Sequence, residues 1–111
     1  MLAHPDNFLP LYYQLKSNEQ KNKAMLQAIA NVKQQLENSN NPLGANHKKE
    51  NIPKPYIKKY NLQALYHFDM PSNHRLMYTV RRASNGEKEA LFLELLTHDK
   101  YNKLFGYFKK K

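Results

Sequence analysis

The sequence predicts an α+β domain: two N-terminal helices packed on a small antiparallel β-sheet, closed by a short C-terminal helix. Three observations lead there. Residues 19–37 place Met25, Leu26, Ile29, Val32 and Leu36 on one face of a helical repeat, with Lys, Gln, Asn and Glu around the rest. Two runs rich in β-branched, aromatic and long apolar residues, 74–82 and 88–96, flank Asn85-Gly86. Both residues of that dipeptide tolerate positive φ, which makes it the strongest short hairpin signal. Finally, 111 residues suffice for one hydrophobic core but not two, so residues 1–111 are expected to form one domain.

In chain order, Asp6 or Asn7 is placed to cap a first helix over 8–16, with Pro10 acceptable in its first turn. Nothing in residues 1–16 reads as a strand. Ser17-Asn18-Glu19-Gln20 fits a capping box for the second helix, which ends at the breaker cluster Asn38-Ser39-Asn40-Asn41-Pro42. Residues 39–55, with Pro42, Gly44, Pro53 and Pro55, read as a long loop carrying His47, Lys48, Lys49 and Glu50. So long a loop in so small a domain is functional or disordered. Lys58, Lys59 and Tyr60 fit a helical turn.

The next strand spans 62–69, with Tyr66 and Phe68 on one face and Leu65 and His67 on the other. Met70-Pro71-Ser72-Asn73 turns the chain into the 74–82 strand. There Arg75, Met77, Thr79 and Arg81 share one face, and Leu76, Tyr78 and Val80 the other. The 88–96 strand is almost wholly apolar, which predicts a central strand covered on both faces. A helical turn from Asp99 should stop at Gly106. The expected order is helix, helix, strand, strand, strand, short helix, with the helices on one face of the meander.

Charge narrows the function. The net charge is +9. Residues 1–47 hold four Lys/Arg against three Asp/Glu, and residues 48–111 hold fourteen against six. A basic half rich in tyrosine points to a phosphate-bearing partner; a lysine-rich solubilising surface is the plainer alternative. The absence of cysteine removes disulfides and thiolate zinc sites. No uncharged apolar run approaches a membrane span, and the N-terminal residues lack a basic apolar leader pattern, so the expectation is a soluble cytoplasmic protein with no membrane partner.

The segment His74-Arg75-Leu76-Met77-Tyr78, the strand containing Leu65-Tyr66-His67-Phe68, and a last strand running into His98 and then Tyr101 together resemble the RelE/ParE superfamily of type II toxin–antitoxin toxins. They are most similar to its mRNA-cleaving RelE and YoeB branches. The likeness covers residues 60–105, and residues 18–37 only as a generic amphipathic helix. The family's opening strand has no counterpart in residues 1–16, and the 39–55 loop is an insertion relative to compact members. Glu50 is the one acidic residue near the place where some members carry a glutamate base.

What the resemblance implies is an mRNA-cleaving endoribonuclease toxin, associated with the ribosome, held inactive by an antitoxin, and using neither metal nor cofactor. Such chemistry needs a base for the 2′-hydroxyl, an acid for the leaving 5′-oxygen and a cation for the phosphorane. Histidine suits proton transfer and arginine suits phosphate. On the family pattern Arg75 is the phosphate stabiliser, His98 the acid or base, Tyr101 a stacking or donating group, and His74 a second proton-transfer group. Taken without that pattern, Arg75 is an exposed strand arginine, His98 a surface or capping histidine, Tyr101 a core aromatic, and His74 only the first residue of its strand.

Lys48, Lys49, Lys58, Arg81 and Arg82 are expected to position RNA phosphates. His67, His74, His98 and Asp99 are the residues at hand for a metal, but no His-x-x-x-His pair joins them. There is no glycine-rich phosphate loop and no Gly-x-Ser-x-Gly elbow. The alternative is a non-catalytic member of the same superfamily, binding nucleic acid or a protein target such as gyrase. Either leaves a homodimer open.

Overall fold

The computed structural model describes residues 2–3, 8–38, 43–47, 49–82, 85–86 and 88–105. Strand β1 (Leu2–Ala3) is followed by helices α1 (Phe8–Lys16) and α2 (Lys23–Glu37), then β2 (Ala45–His47), a 3₁₀ turn (Lys49–Asn51) and helix α3 (Lys54–Tyr60). The chain continues through β3 (Leu65–Met70), β4 (His74–Arg82), β5 (Lys88–Thr97) and helix α4 (His98–Phe105). The α+β class holds.

The sheet has the order β1-β5-β4-β3-β2. From β2 to β5 every pairing is antiparallel, and β1 joins β5 in parallel, Leu2 opposite Leu91. The expectation of no strand in residues 1–16 is therefore corrected. Two residues carry no alternation, so a strand this short leaves no periodic trace in the sequence.

The 74–82 and 88–96 runs pair as expected, with Arg75 opposite Leu96 and Arg82 opposite Lys88. The connection carries Gly86 at φ +89°, and the Arg82 side chain donates to the Gly86 carbonyl at 2.8 Å. At the other end of β4, Ser72 and Asn73 both adopt left-handed φ, 60° and 58°, which turns β3 into β4 with Met70 opposite His74. β5 is covered on both faces, because the residues of its two sides belong to two different cores. It was expected to be central, but the middle strand is β4; β5 is second from the edge, paired with β1 only at Leu91 and Phe92.

One core packs α1 and α2 against the sheet through Phe8, Ile29, Val32, Met70, Leu76, Tyr78 and Phe92. The other packs α3 and α4 through Ile52, Tyr56, Leu62, Leu65, Met77, Leu91, Leu93 and Tyr101. Helices on a single face were expected; they lie on both. The cause is legible in β4, where Leu76, Met77 and Tyr78 are successive and each is fully buried. A strand hydrophobic on both sides must be covered on both. Each such side chain contributes roughly 1.5–3 kcal/mol on burial.

Three local expectations change. Helix α2 begins at Lys23 rather than near Glu19, and no capping box forms: the Ser17 hydroxyl donates back to the Gln14 carbonyl at 2.6 Å. The 39–55 segment is not simply a loop, since it carries β2 and the start of α3. The register between β4 and β5 slips between Met77 and Tyr78, which face Glu94 and Phe92. This bulge makes Leu93 the extra residue and turns the next side chain, Glu94, toward α3. There Glu94 accepts from the Tyr56 hydroxyl at 3.0 Å and lies 3.6 Å from the Lys59 ammonium. Burial and that carboxylate push the Tyr56 phenol well above its ordinary pKa.

Candidate functional site

The site lies where β2, β3, β4 and α4 meet at one end of the sheet. β2 pairs antiparallel with β3 so that Ala45 stands opposite His67 and His47 opposite Leu65. Gly44 makes this approach possible. Its φ is +83°, and a Cβ there would collide with the His67 carbonyl oxygen. Leu43, just before it, is held by Tyr78, whose hydroxyl donates to the Leu43 carbonyl at 2.5 Å and accepts from its N–H at 2.8 Å.

With β2 so placed, His47 Nε2 lies 2.8 Å from His67 Nδ1. His67 Nε2 is 3.4 Å from Asp69 Oδ1, and Arg75 Nε donates to the same oxygen at 3.1 Å. A carboxylate only accepts, so the network assigns the protons. His67 carries its proton on Nε2 toward Asp69. Its Nδ1 then accepts from a proton on His47 Nε2, which leaves His47 Nδ1 as the unprotonated nitrogen. The result is one directed chain, His47 to His67 to Asp69, with Arg75 fastened to its end.

Aromatic rings close the site. The Arg75 guanidinium carbon lies 5.3 Å from the centroid of the Tyr101 ring, a cation–π distance. The Tyr101 hydroxyl is 3.4 Å from His47 Nε2. Phe105 stacks on His47 at 4.7 Å between centroids. His47, His67, Tyr101 and Phe105 line a concavity of about 590 Å³, together with Ala45, Asn46 and Asn51.

Both histidines are held neutral. Partial burial, reinforced by the neighbouring His67, lowers the His47 pKa from 6.5 to about 4. His67 is lowered too, by burial first; Asp69 opposes that and Arg75 adds to it.

Of the residues expected from the sequence, the structure brings Arg75 and Tyr101 together. Arg75 is largely shielded from solvent, and Tyr101 is only 6% exposed, so its ring is wall and floor rather than a free stacking platform. His98 does not join them. It is exposed at the start of α4, and its Nε2 is 3.1 Å from Asn102 Nδ2 one turn on. The cap of that helix is Thr97, whose hydroxyl oxygen accepts from the Lys100 N–H.

His74 also has another task. Its Nδ1 lies 2.9 Å from the Ser72 carbonyl oxygen and 3.2 Å from that of Pro71. Carbonyls only accept, so Nδ1 carries a proton that ties down the β3–β4 turn. Among the described residues, His67, His74, His98 and Asp99 do not gather, and no cluster of three or more His, Asp or Glu is arranged to hold a metal.

Lys58 is exposed on α3, and Arg81 and Arg82 are exposed at the far end of β4. Lys48 and the Lys49 side chain lie outside the described residues. Glu50 is exposed on the 3₁₀ turn. Sequence reasoning placed His47 in a loop and His67 on the correct face of β3, but missed their pairing. The signal for it is Gly44, the residue that lets β2 close on β3. No protein-family model matches the chain, and neither a curated protein nor a solved structure is significantly similar to it.

Proposed function

We propose that the protein is a metal-independent endoribonuclease that cleaves single-stranded RNA at the concavity between β2 and α4. The observation that carries this reading is the directed His47–His67–Asp69 chain, joined to Arg75 at its far end and opening through its two histidines on a concavity, in a strongly basic chain. Two neutral imidazoles beside a guanidinium supply what phosphodiester cleavage needs, a proton acceptor and a fixed cation for the phosphorane.

In the reaction, His47 Nδ1 takes the proton of the 2′-hydroxyl. The 2′-oxygen attacks the adjacent phosphorus, and the P–O5′ bond breaks to leave a 2′,3′-cyclic phosphate. Arg75 receives the charge that builds on the non-bridging oxygens. The Tyr101 hydroxyl gives its proton to the departing 5′-oxygen; the phenolate then regains a proton from solvent and the His47 imidazolium loses its Nδ1 proton to solvent, which returns both groups to their starting state. Asp69 positions His67 and thereby sets the tautomer of His47.

The wider role is that of an mRNA interferase toxin of the RelE/ParE kind, acting in the cytoplasm, with an antitoxin as protein partner and the ribosome as the place of action. Support comes from the Arg75-bearing β4 strand, the β5–α4 ending that carries Tyr101, and an opening β1 strand of the sort that superfamily has. The deciding experiment is incubation of purified protein with a short unstructured RNA in chelator. Wild type should release fragments ending in a cyclic phosphate, and Arg75→Ala should not. If wild type leaves the RNA intact both alone and with ribosomes and mRNA, the protein is a non-catalytic binder.

A further inference from the structure

The same face of the sheet carries a second concavity, about 430 Å³, at the opposite end of β4. Its floor includes Thr79 and Leu91, both more than nine-tenths buried. Tyr60 forms a wall, Asn61 and Gln63 stand at the rim, and Arg81 and Arg82 reach its mouth. The histidine chain uses none of these groups.

We infer that this concavity, formed by Tyr60, Gln63, Thr79 and Arg81, is a nucleotide subsite that holds the same single-stranded RNA away from the point of cleavage. The inference rests on the ribonuclease reading for the identity of the ligand as RNA. The chemistry of the lining matches a nucleotide part by part. Leu91 and the Tyr60 ring offer apolar surface to a base. Asn61 and Gln63 offer carboxamides that both give and accept hydrogen bonds, as a base edge requires. The Thr79 hydroxyl proton is committed to the Ala64 carbonyl at 2.7 Å, so its oxygen presents lone pairs. The guanidinium groups at the mouth suit phosphate.

Arg81 is not spent on its internal partner. Its Nε is 3.6 Å from Glu89 Oε1, and the side chain is 54% exposed, a loose pair of small energetic worth. An incoming phosphate therefore competes with one carboxylate, and removing that carboxylate should help it.

Arg75 and Arg81 lie six residues apart on one side of β4, about 20 Å along the strand. Helix α3 covers the sheet between them, with Lys58 exposed and Lys59 half-exposed on its outer side. A strand of RNA bridging both sites passes this basic ridge. Its bound length is on the order of four nucleotides, the low end for single-strand sites.

The test is binding of 2′-O-methyl oligouridylates of two, four and eight nucleotides, which cannot be cleaved, followed by fluorescence anisotropy at low salt. Wild type should gain about tenfold or more in affinity from two to eight nucleotides. The Arg81→Ala and Gln63→Ala variants, checked for folding by circular dichroism, should each lose most of that gain while binding the dimer like wild type. Glu89→Gln should bind the octamer several-fold more tightly. Lys33→Ala, an equal charge change on the opposite helix layer, should be neutral.

The inference is overturned if affinity does not rise with length, or if Lys33→Ala weakens the octamer as much as Arg81→Ala, which would show diffuse attraction alone. Cleavage of unmodified RNA is scored separately. Length-dependent binding that requires Arg81, without cleavage, sinks the ribonuclease reading and leaves the subsite standing. Cleavage without length dependence does the reverse.

Discussion

Arg75 is the residue on which the chemistry turns. Asp69 grips its Nε and the Tyr101 ring lies under the guanidinium, so the cation is oriented before substrate arrives. Replacing a preorganised charge donor typically costs about 100- to 1000-fold in rate. Arg75→Ala should lose that much cleavage, and Arg75→Lys most of it, because an ammonium cannot reproduce the fork. Gel-resolved initial rates check both.

The histidines add a pH signature. His47 has a folded pKa of about 4 against 6.5, so between those values the unfolded chain binds more protons than the folded one. Stability is then full above about pH 6.5 and falls as the pH drops through 4; His67 shifts in the same direction. Thermal midpoints recorded from pH 7.5 to 4 should fall with acid, and His47→Asn should flatten that slope. A midpoint independent of pH across this window contradicts the half-buried neutral pair. The convergence of Arg75 and Tyr101 was legible in advance, since an Asn-Gly connection fixes residue 75 opposite residue 96. The histidine pair was not, because it depends on a strand of three residues whose pairing is set by space at Gly44 rather than by any periodicity.

Among the elements, β2 carries the most function for its size. Three residues cannot hold a register by side-chain pattern. Closure instead depends on the Tyr78 hydroxyl clasping Leu43 and on Gly44 lying against the His67 backbone. Gly44→Ala meets both a positive φ and a backbone collision, so it should destabilise by more than about 1 kcal/mol, a drop of several degrees in melting temperature. It should also abolish cleavage while leaving the α1/α2 core intact, as read by exchange protection of β4 and β5 amides. Tyr78→Phe should act in the same direction more mildly, since it leaves the half-buried N–H and carbonyl of Leu43 without this partner.

The three longer strands, β3, β4 and β5, and helices α1 and α2 were readable because alternation and helical spacing persist over many residues. The placement of α3 was not: its start lay in the 39–55 segment read as loop, and Lys58, Lys59 and Tyr60 read only as a helical turn, with no sign of the sheet face that Tyr56, Ile57 and Tyr60 cover. The demand for a second covering layer lay instead in the unbroken Leu76-Met77-Tyr78 run of β4.

At the scale of the molecule, charge governs encounter. Most of the +9 sits in residues 48–111, whose described part supplies β3, β4, β5, α3 and α4. If about five phosphates are engaged, the log–log salt slope of single-stranded RNA affinity should be roughly −3.5. A flat salt response argues against RNA as the ligand.

The parallel contact of β1 with β5 has a consequence for biogenesis. Leu2 pairs with Leu91 and Ala3 with Phe92, so only once β5, far along the chain from β1, has been made can the two pair. Until then the apolar β5 segment has one undocked backbone edge, a template for pairing between chains. Nascent or N-terminally trimmed protein should therefore be the aggregation-prone species, and a binding partner that lies along that edge during synthesis would act as a chaperone as much as an inhibitor.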